Sequence, residues 1–160
     1  MKRIFFPGSF NPFTQGHADI LRRLLMLADE VTIGIGVNID KPASADAAKR
    51  NEAEIIDYIR AEGLEERVKV KIYTGLTAEE ARECGSDCLA RGVRSGADFD
   101  YEYQLAALNR DAFGIETILI PADPALSYVS STSIRDLRAH GRDDIAERYL
   151  PHPYQIKDYE

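Results

Sequence analysis

A chain of 160 residues, 44 % hydrophobic, can bury roughly 70 % of the surface its unfolded form exposes, which predicts a single domain over 1–160. The net charge of −7 and isoelectric point near 5.0 exclude the basic face that nucleic acid or an anionic membrane surface requires. No apolar run approaches the ~20 residues that span a bilayer, and without a signal-peptide pattern a cytoplasmic protein is expected.

Arg3-Ile4-Phe5-Phe6 reads as a short buried strand, and Ile20, Leu21, Leu24, Leu25 and Ala28 recur with helical period over 15–28. Between them, Pro7-Gly8-Ser9-Phe10-Asn11-Pro12-Phe13-Thr14-Gln15-Gly16-His17 brings a glycine, hydroxyls and a histidine to a strand–helix junction. Thr14 is placed to cap the helix, with His17 in its first turn. Unpaired N–H groups and the positive end of the macrodipole favour phosphate oxygens there. His17 adds a side-chain donor for charge developing on a phosphate in a transition state. Taken singly, these residues also fit a Gly/Pro-rich turn with a capping threonine. The ordered string fits a nucleotide triphosphate site better, since a plain turn needs no Gly-His pair beyond the cap.

Further strand-like runs at 31–37, 68–73, 87–91 and 115–120 alternate with helical patterns at 46–62, 77–85 and 98–112. One short helix follows Ser130-Ser131-Thr132, another lies near 143–149, and a polar tail begins at Pro151. Strands alternating with helices imply parallel pairing, hence an α/β, doubly wound five-stranded parallel sheet with C-terminal helices. Ligands bind such sheets at the carboxyl ends of the strands, where the strand order reverses. The loop Asn38-Ile39-Asp40-Lys41 and the turn Gly75-Leu76-Thr77 should share that edge with 7–17. Gly34-Ile35-Gly36 lacks the third glycine of a dinucleotide fingerprint and reads as a close-packed central strand. Cys84 and Cys88, four apart in a helical segment, match neither a redox pair nor a zinc set; two reduced, partly buried thiols and no protein-held metal are expected.

Arg91-Gly92-Val93-Arg94 sets two guanidiniums three residues apart at a strand end, which suits two phosphate groups; solvated surface arginines are the alternative. In Ser95-Gly96-Ala97-Asp98-Phe99-Asp100-Tyr101-Glu102, Asp98 reads as a helix N-cap, and Glu102 as an exposed first-turn carboxylate or a ribose acceptor. Ser127-Tyr128-Val129-Ser130-Ser131-Thr132-Ser133-Ile134-Arg135-Asp136 stacks hydroxyls at another helix N-terminus, as a cap or as short donors to phosphates. His140 and His152 sit in polar surroundings and read as solvated.

The Thr-x-Gly-His tetrad after Gly-Ser-Phe-Asn-Pro resembles the signature of the nucleotidylyltransferase superfamily, in its adenylyltransferase branch. Arg-Gly-Val-Arg with Ala-Asp-Phe-Asp-Tyr-Glu narrows the resemblance, from Arg3 to about Leu150, to the bacterial phosphopantetheine adenylyltransferase family. That family implies a Rossmann-like nucleotidylyltransferase fold and transfer of AMP from Mg-ATP to 4′-phosphopantetheine, giving dephospho-coenzyme A and pyrophosphate. It further implies Mg2+ bound through the ATP phosphates, coenzyme A as a feedback inhibitor and a homohexamer. By position, His17 would stabilise the pentacoordinate phosphorus and Ser9 would bind ATP and acceptor phosphate. Phe10 by its backbone, with Gly92, Val93, Arg94, Glu102, Leu126, Ser127, Tyr128, Val129, Ser130, Ser131 and Thr132, would line the ATP site. Lys41, Thr77 and Arg91 match acceptor-contacting positions, Lys41 and Arg91 sharing in catalysis. Tyr and Phe around 99–113 could serve oligomer contacts but read more simply as core.

The chain departs from the family pattern with Ser9 for the common Thr and Asn11 for the usual Asp. The segment from Lys41 to Arg50 lacks the usual aromatic and paired glutamates, so acceptor recognition is where it departs most. A nicotinate or nicotinamide mononucleotide adenylyltransferase shares the first motif but lacks the arginine block. A non-catalytic nucleotide-binding module would not need His17, Lys41, Arg91 and Arg94 together.

Overall fold

A computed structural model describes residues 1–38 and 40–152; Ile39 of the second loop and 153–160 of the polar tail lie outside the described residues. Five parallel strands, β1 (Arg3–Gly8), β2 (Glu30–Gly36), β3 (Val68–Tyr73), β4 (Cys88–Val93) and β5 (Glu116–Pro121), form one sheet in the order β3-β2-β1-β4-β5. The chain runs outward from β1 to β3, then returns to place β4 on the other side of β1. The expected reversal therefore falls between β1 and β4.

Alternation along the central strands sorts the core. Ile4 and Phe6 of β1 and Val31, Ile33 and Ile35 of β2 face α1 (Gln15–Leu27) and α2 (Pro42–Ala61). Phe5 and Leu89 face the other way, packing with Tyr73, Ala78 and Ala81 beside α3 (Thr77–Glu83) and α4 (Gly96–Phe113). Gly34 lies under that second layer: a Cβ there would stand 2.2 Å from Phe5 Cζ, so only glycine fits. The short helices α5 (Ser131–Ala139) and α6 (Asp143–Ala146) close the chain around Val129, Ile134 and Ala146.

Several sequence expectations require correction. Helix α2 starts at Pro42 rather than 46, because a proline in the first turn lacks only an N–H that would be orphaned there. Strand β4 runs Cys88–Val93 instead of ending at 91, so Gly92 and Val93 are strand residues rather than part of the following loop. The N-cap of α4 is Ser95, whose hydroxyl accepts from the Asp98 N–H at 3.2 Å; Asp98 sits inside the first turn. Cys84 ends α3 and Cys88 opens β4, so the pair does not share a helix; both thiols are half-buried. Three of the four aromatic residues of α4 are not core: Phe99, Tyr101 and Tyr103 are 46 %, 61 % and 60 % exposed, whereas Phe113 packs against the Phe5 cluster.

Candidate active site

Thr14 caps α1 as its position predicted, and the cap fixes His17. The Thr14 side chain accepts from the His17 N–H at 3.3 Å, while His17 Nδ1 accepts the Thr14 N–H at 3.0 Å, completing a capping box with histidine in the role of Glu or Gln. With Nδ1 occupied as an acceptor, the proton of the neutral ring belongs on Nε2. The ring packs edge-on to Phe10 at 5.0 Å and stacks on Phe13 at 5.6 Å. This burial, with the positive charges of Arg94 and Arg91, holds its pKa down at about 4. His17 is therefore a neutral N–H donor at physiological pH.

Phe10 carries the strained backbone of the loop, at φ 48°, with its ring buried against Phe6, Phe13 and His17. Gly8 makes room for it: a Cβ at Gly8 would approach the Phe10 ring to 2.9 Å. Phe10, only 2 % exposed, is thus a packing anchor in the wall of the cavity.

A cavity of about 300 Å³ opens above β1 and β4, lined by Gly8, Ser9, Phe10, Thr14, Gly16 and His17 from the first loop. Arg91, Gly92, Arg94, Asp98 and Glu102 form its second wall, and Leu126, Val129, Ser130, Ser131 and Thr132 its third. The first turns of α1, α4 and α5 all border it, so the ends of three helices raise the local positive potential. Ser131 Oγ donates to the Pro12 carbonyl at 2.8 Å and Arg135 Nη1 to the Asn11 carbonyl at 2.5 Å, tying α5 to the first loop. Of the expected ATP-site residues, Val93, Ser127 and Tyr128 do not line the cavity. Val93 is in the core, Ser127 donates to the Pro124 carbonyl, and the exposed Tyr128 ring meets Tyr149.

A second cavity of about 380 Å³ shares Pro7, Gly8, Ser9, Arg91 and Glu102 with the first. Its other walls are mostly apolar, among them Leu76, Ala78, Leu89, Leu105 and Leu108, with Thr77 inside. Thr77 Oγ1 and Tyr73 Oη are hydrogen-bonded at 2.9 Å. Lys41 reaches neither cavity; it borders a third hollow with Ser9, Asn11, Asn51 and Arg135. Ser9 is common to all three.

Glu102 is not the exposed carboxylate expected. It is 6 % exposed and holds Arg91 in a two-pronged pair, Nε to Oε2 at 2.9 Å and Nη2 to Oε1 at 2.7 Å. Arg94 pairs more openly with Asp98, Nε to Oδ2 at 3.2 Å. Sequence reading also missed Asn51, whose Nδ2 donates to the Ser9 carbonyl at 3.4 Å. The available signal was an asparagine on the stripe Ala48, Asn51, Ile55 and Ile59, a helical face otherwise apolar. Tyr73 gave no signal beyond that of a strand residue.

Residues 5–137 match the cytidylyltransferase-like family model. With a cavity at the switch point and the chain's own histidine and arginines around it, the molecule is of the nucleotidyltransferase class. The nicotinic acid mononucleotide adenylyltransferase of Plasmodium falciparum complexed with NaAD superposes with a TM-score of 0.62 at 16 % identity, over 94 % of this chain and 91 % of that one, a likeness of fold. Curated relatives are nearer in sequence. The phosphopantetheine adenylyltransferase of Porphyromonas gingivalis is 45 % identical over 94 % of this chain and 95 % of its own length. That of Phocaeicola vulgatus is 43 % identical over 98 % and 99 %. The chain belongs to the phosphopantetheine adenylyltransferase family.

Proposed function

We propose that this protein transfers AMP from Mg-ATP to 4′-phosphopantetheine, giving dephospho-coenzyme A and pyrophosphate, a step of coenzyme A biosynthesis. One observation supports it above others: a polar, helix-capped cavity and an apolar one meet along a shared wall of Pro7, Gly8, Ser9, Arg91 and Glu102. A triphosphate suits the first cavity, and the long uncharged arm of a phosphorylated acceptor suits the second. Their phosphates would then meet at Ser9.

In this reading an oxygen of the acceptor phosphate attacks the α-phosphorus of ATP, the bond from that phosphorus to the β-bridging oxygen breaks, and pyrophosphate leaves. The acceptor dianion is itself the nucleophile, so no enzyme base is required. Catalysis consists of orientation and stabilisation of charge on the pentacoordinate phosphorus. The neutral Nε2–H of His17 supplies a donor to that charge, and Ser9 a hydroxyl between the two substrates. Arg94 and the Ser130 and Thr132 hydroxyls serve the remaining ATP phosphates, with Phe10, Gly92, Leu126 and Val129 around the nucleotide. Arg91, Lys41 and Thr77 serve the acceptor; Lys41 has to swing toward Ser9 from the third hollow.

The site's own donor set does not suit a protein-held ion. Asp98 and Glu102 are each engaged by an arginine, and no group of three or more His, Cys, Asp or Glu that could hold a metal occurs among the described residues. Magnesium enters as part of the substrate Mg-ATP. No helix among the described residues is long and apolar enough to cross a membrane, and the reading is of a cytoplasmic enzyme. A homohexamer would cover the exposed α4 aromatics, and coenzyme A, carrying the product's own moiety, could inhibit at the same cavities. Pyrophosphate release from Mg-ATP, run with 4′-phosphopantetheine and separately with nicotinate mononucleotide, tests the proposal. Turnover should appear with the first; preference for the second would reassign the acceptor, and release with neither would indicate a binding module.

A further inference from the structure

Asn51 interrupts the buried face that Ala48, Ile55 and Ile59 give to α2, and is itself only 5 % exposed. A buried amide in apolar surroundings costs stability unless it is hydrogen-bonded. Its bond crosses to the first loop: Nδ2 donates to the Ser9 carbonyl at 3.4 Å, the one hydrogen bond of this side chain among the described residues. A carbonyl can only accept, so the amide nitrogen has to face it.

The Ser9 carbonyl and the Phe10 N–H belong to one planar peptide, which is trans, so they point in opposite directions. Asn51 draws the carbonyl toward α2 and thereby turns the N–H away from it. That N–H has no hydrogen-bond partner among the described residues, although Phe10 is buried in the wall of the first cavity. Buried backbone donors are rarely left unpaired. Phe10 moreover stands at φ 48°, a region costly for a bulky side chain. Turning the peptide over changes the φ of Phe10 together with the ψ of Ser9 and would release that strain. Local backbone preference thus runs against the observed orientation, and contacts from outside the loop have to oppose it.

We propose that Asn51 is a positioning residue for ATP: by holding the Ser9 carbonyl, it keeps the Phe10 N–H presented as a donor to a phosphate oxygen in the first cavity. Asn51 borders the third hollow and neither of the other two cavities, so it acts through the peptide and not by touching the nucleotide.

The proposal rests on the reading that the first cavity takes ATP, and its test needs no acceptor. The dipeptide Ser-Phe occurs once in the chain, so protein carrying 13C at serine carbonyls and 15N at phenylalanine gives a single correlation, from the Ser9–Phe10 peptide. In the wild type, Mg-ATP should move the Phe10 amide proton downfield, as donation to a phosphate oxygen requires. Asn51→Leu is close in shape and continues the apolar face. With folding established by thermal melts, it should shift or split that correlation before any ATP is added. It should also raise the Mg-ATP Kd about three- to tenfold by calorimetry, as loss of one net hydrogen bond lowers the fraction of competent peptide. Asn51→Ala should do the same, and serves alone if the leucine variant does not fold. In a folded variant, a correlation or an ATP affinity matching the wild type would overturn the proposal. So would a wild-type Phe10 proton that Mg-ATP leaves in place. A wild type that does not bind Mg-ATP at all would overturn the ATP reading with it.

Discussion

Replacing His17 by alanine removes two things that the structure allows to be weighed separately. The first is the Nε2–H donor facing the cavity. A single preorganised donor to transition-state charge is worth about 10²–10³ in kcat, or roughly 2.7–4 kcal/mol. The second is the acceptor for the Thr14 N–H, 3.0 Å away at a residue only 1 % exposed. Leaving a buried N–H unpaired costs about 1–3 kcal/mol of folding stability. His17→Gln separates the two, because glutamine at the third helical position restores the capping box but cannot place a donor where the imidazole did. We expect both variants to lose about 10²–10³ in kcat for pyrophosphate release, with ATP affinity by calorimetry nearly unchanged, and only the alanine variant to melt markedly earlier. A folded glutamine variant with near wild-type turnover, or a loss confined to ATP binding, would refute the assignment of the donor.

Arg91→Ala should chiefly weaken the phosphorylated acceptor and Arg94→Ala chiefly ATP, with lysine restoring only part in each case; calorimetric titrations showing the reverse would exchange the two cavities. Lys41→Ala should raise the acceptor KM and lower kcat together, and Lys41→Glu should abolish turnover, whereas kinetics unchanged in both would make Lys41 a solvated loop residue. Gly34→Ala should destabilise by about 1–3 kcal/mol in denaturant melts, since its methyl would enter the Phe5 ring. The His17 pKa, lowered from 6.5 to about 4, fixes the sign of a stability term. Above the unfolded value both states are neutral there, and as pH falls toward 4 only the unfolded chain takes the proton. Native stability should therefore drop by up to about 3 kcal/mol across that window. Melts of His17→Gln from pH 7 to 4 should show a shallower decline, and an equal slope would contradict the buried neutral ring.

The fold was legible because its signals are local and periodic: β1 and α1 announce themselves by burial period, and Thr14 by its place before the helix. Loop 7–17 was legible as a polar strand–helix junction for the same reason, all its groups lying close together in sequence, and it lines the first cavity. The arginine block was readable as a pair of charges but not as a structure. Only the parting of β1 from β4 shows why Arg91 is drawn under Pro7, and nothing within eleven residues of sequence indicates that Glu102 turns inward to meet it. Asp98 was mistaken for the cap because Ser95 and Asp98 are both good caps, and the choice depends on where β4 ends. The exposed aromatics of α4 misled in the opposite way, since hydrophobic residues in a helix read as core until the sheet they would cover is placed.

The central claim is that the α-phosphoryl group of ATP, with its adenosine, moves to a phosphate monoester. Incubating the protein with 4′-phosphopantetheine and Mg-ATP labelled at the α-phosphorus should place the label in dephospho-coenzyme A, with unlabelled pyrophosphate released. Label recovered in ADP or retained in ATP, with inorganic phosphate or no release at all, would contradict it.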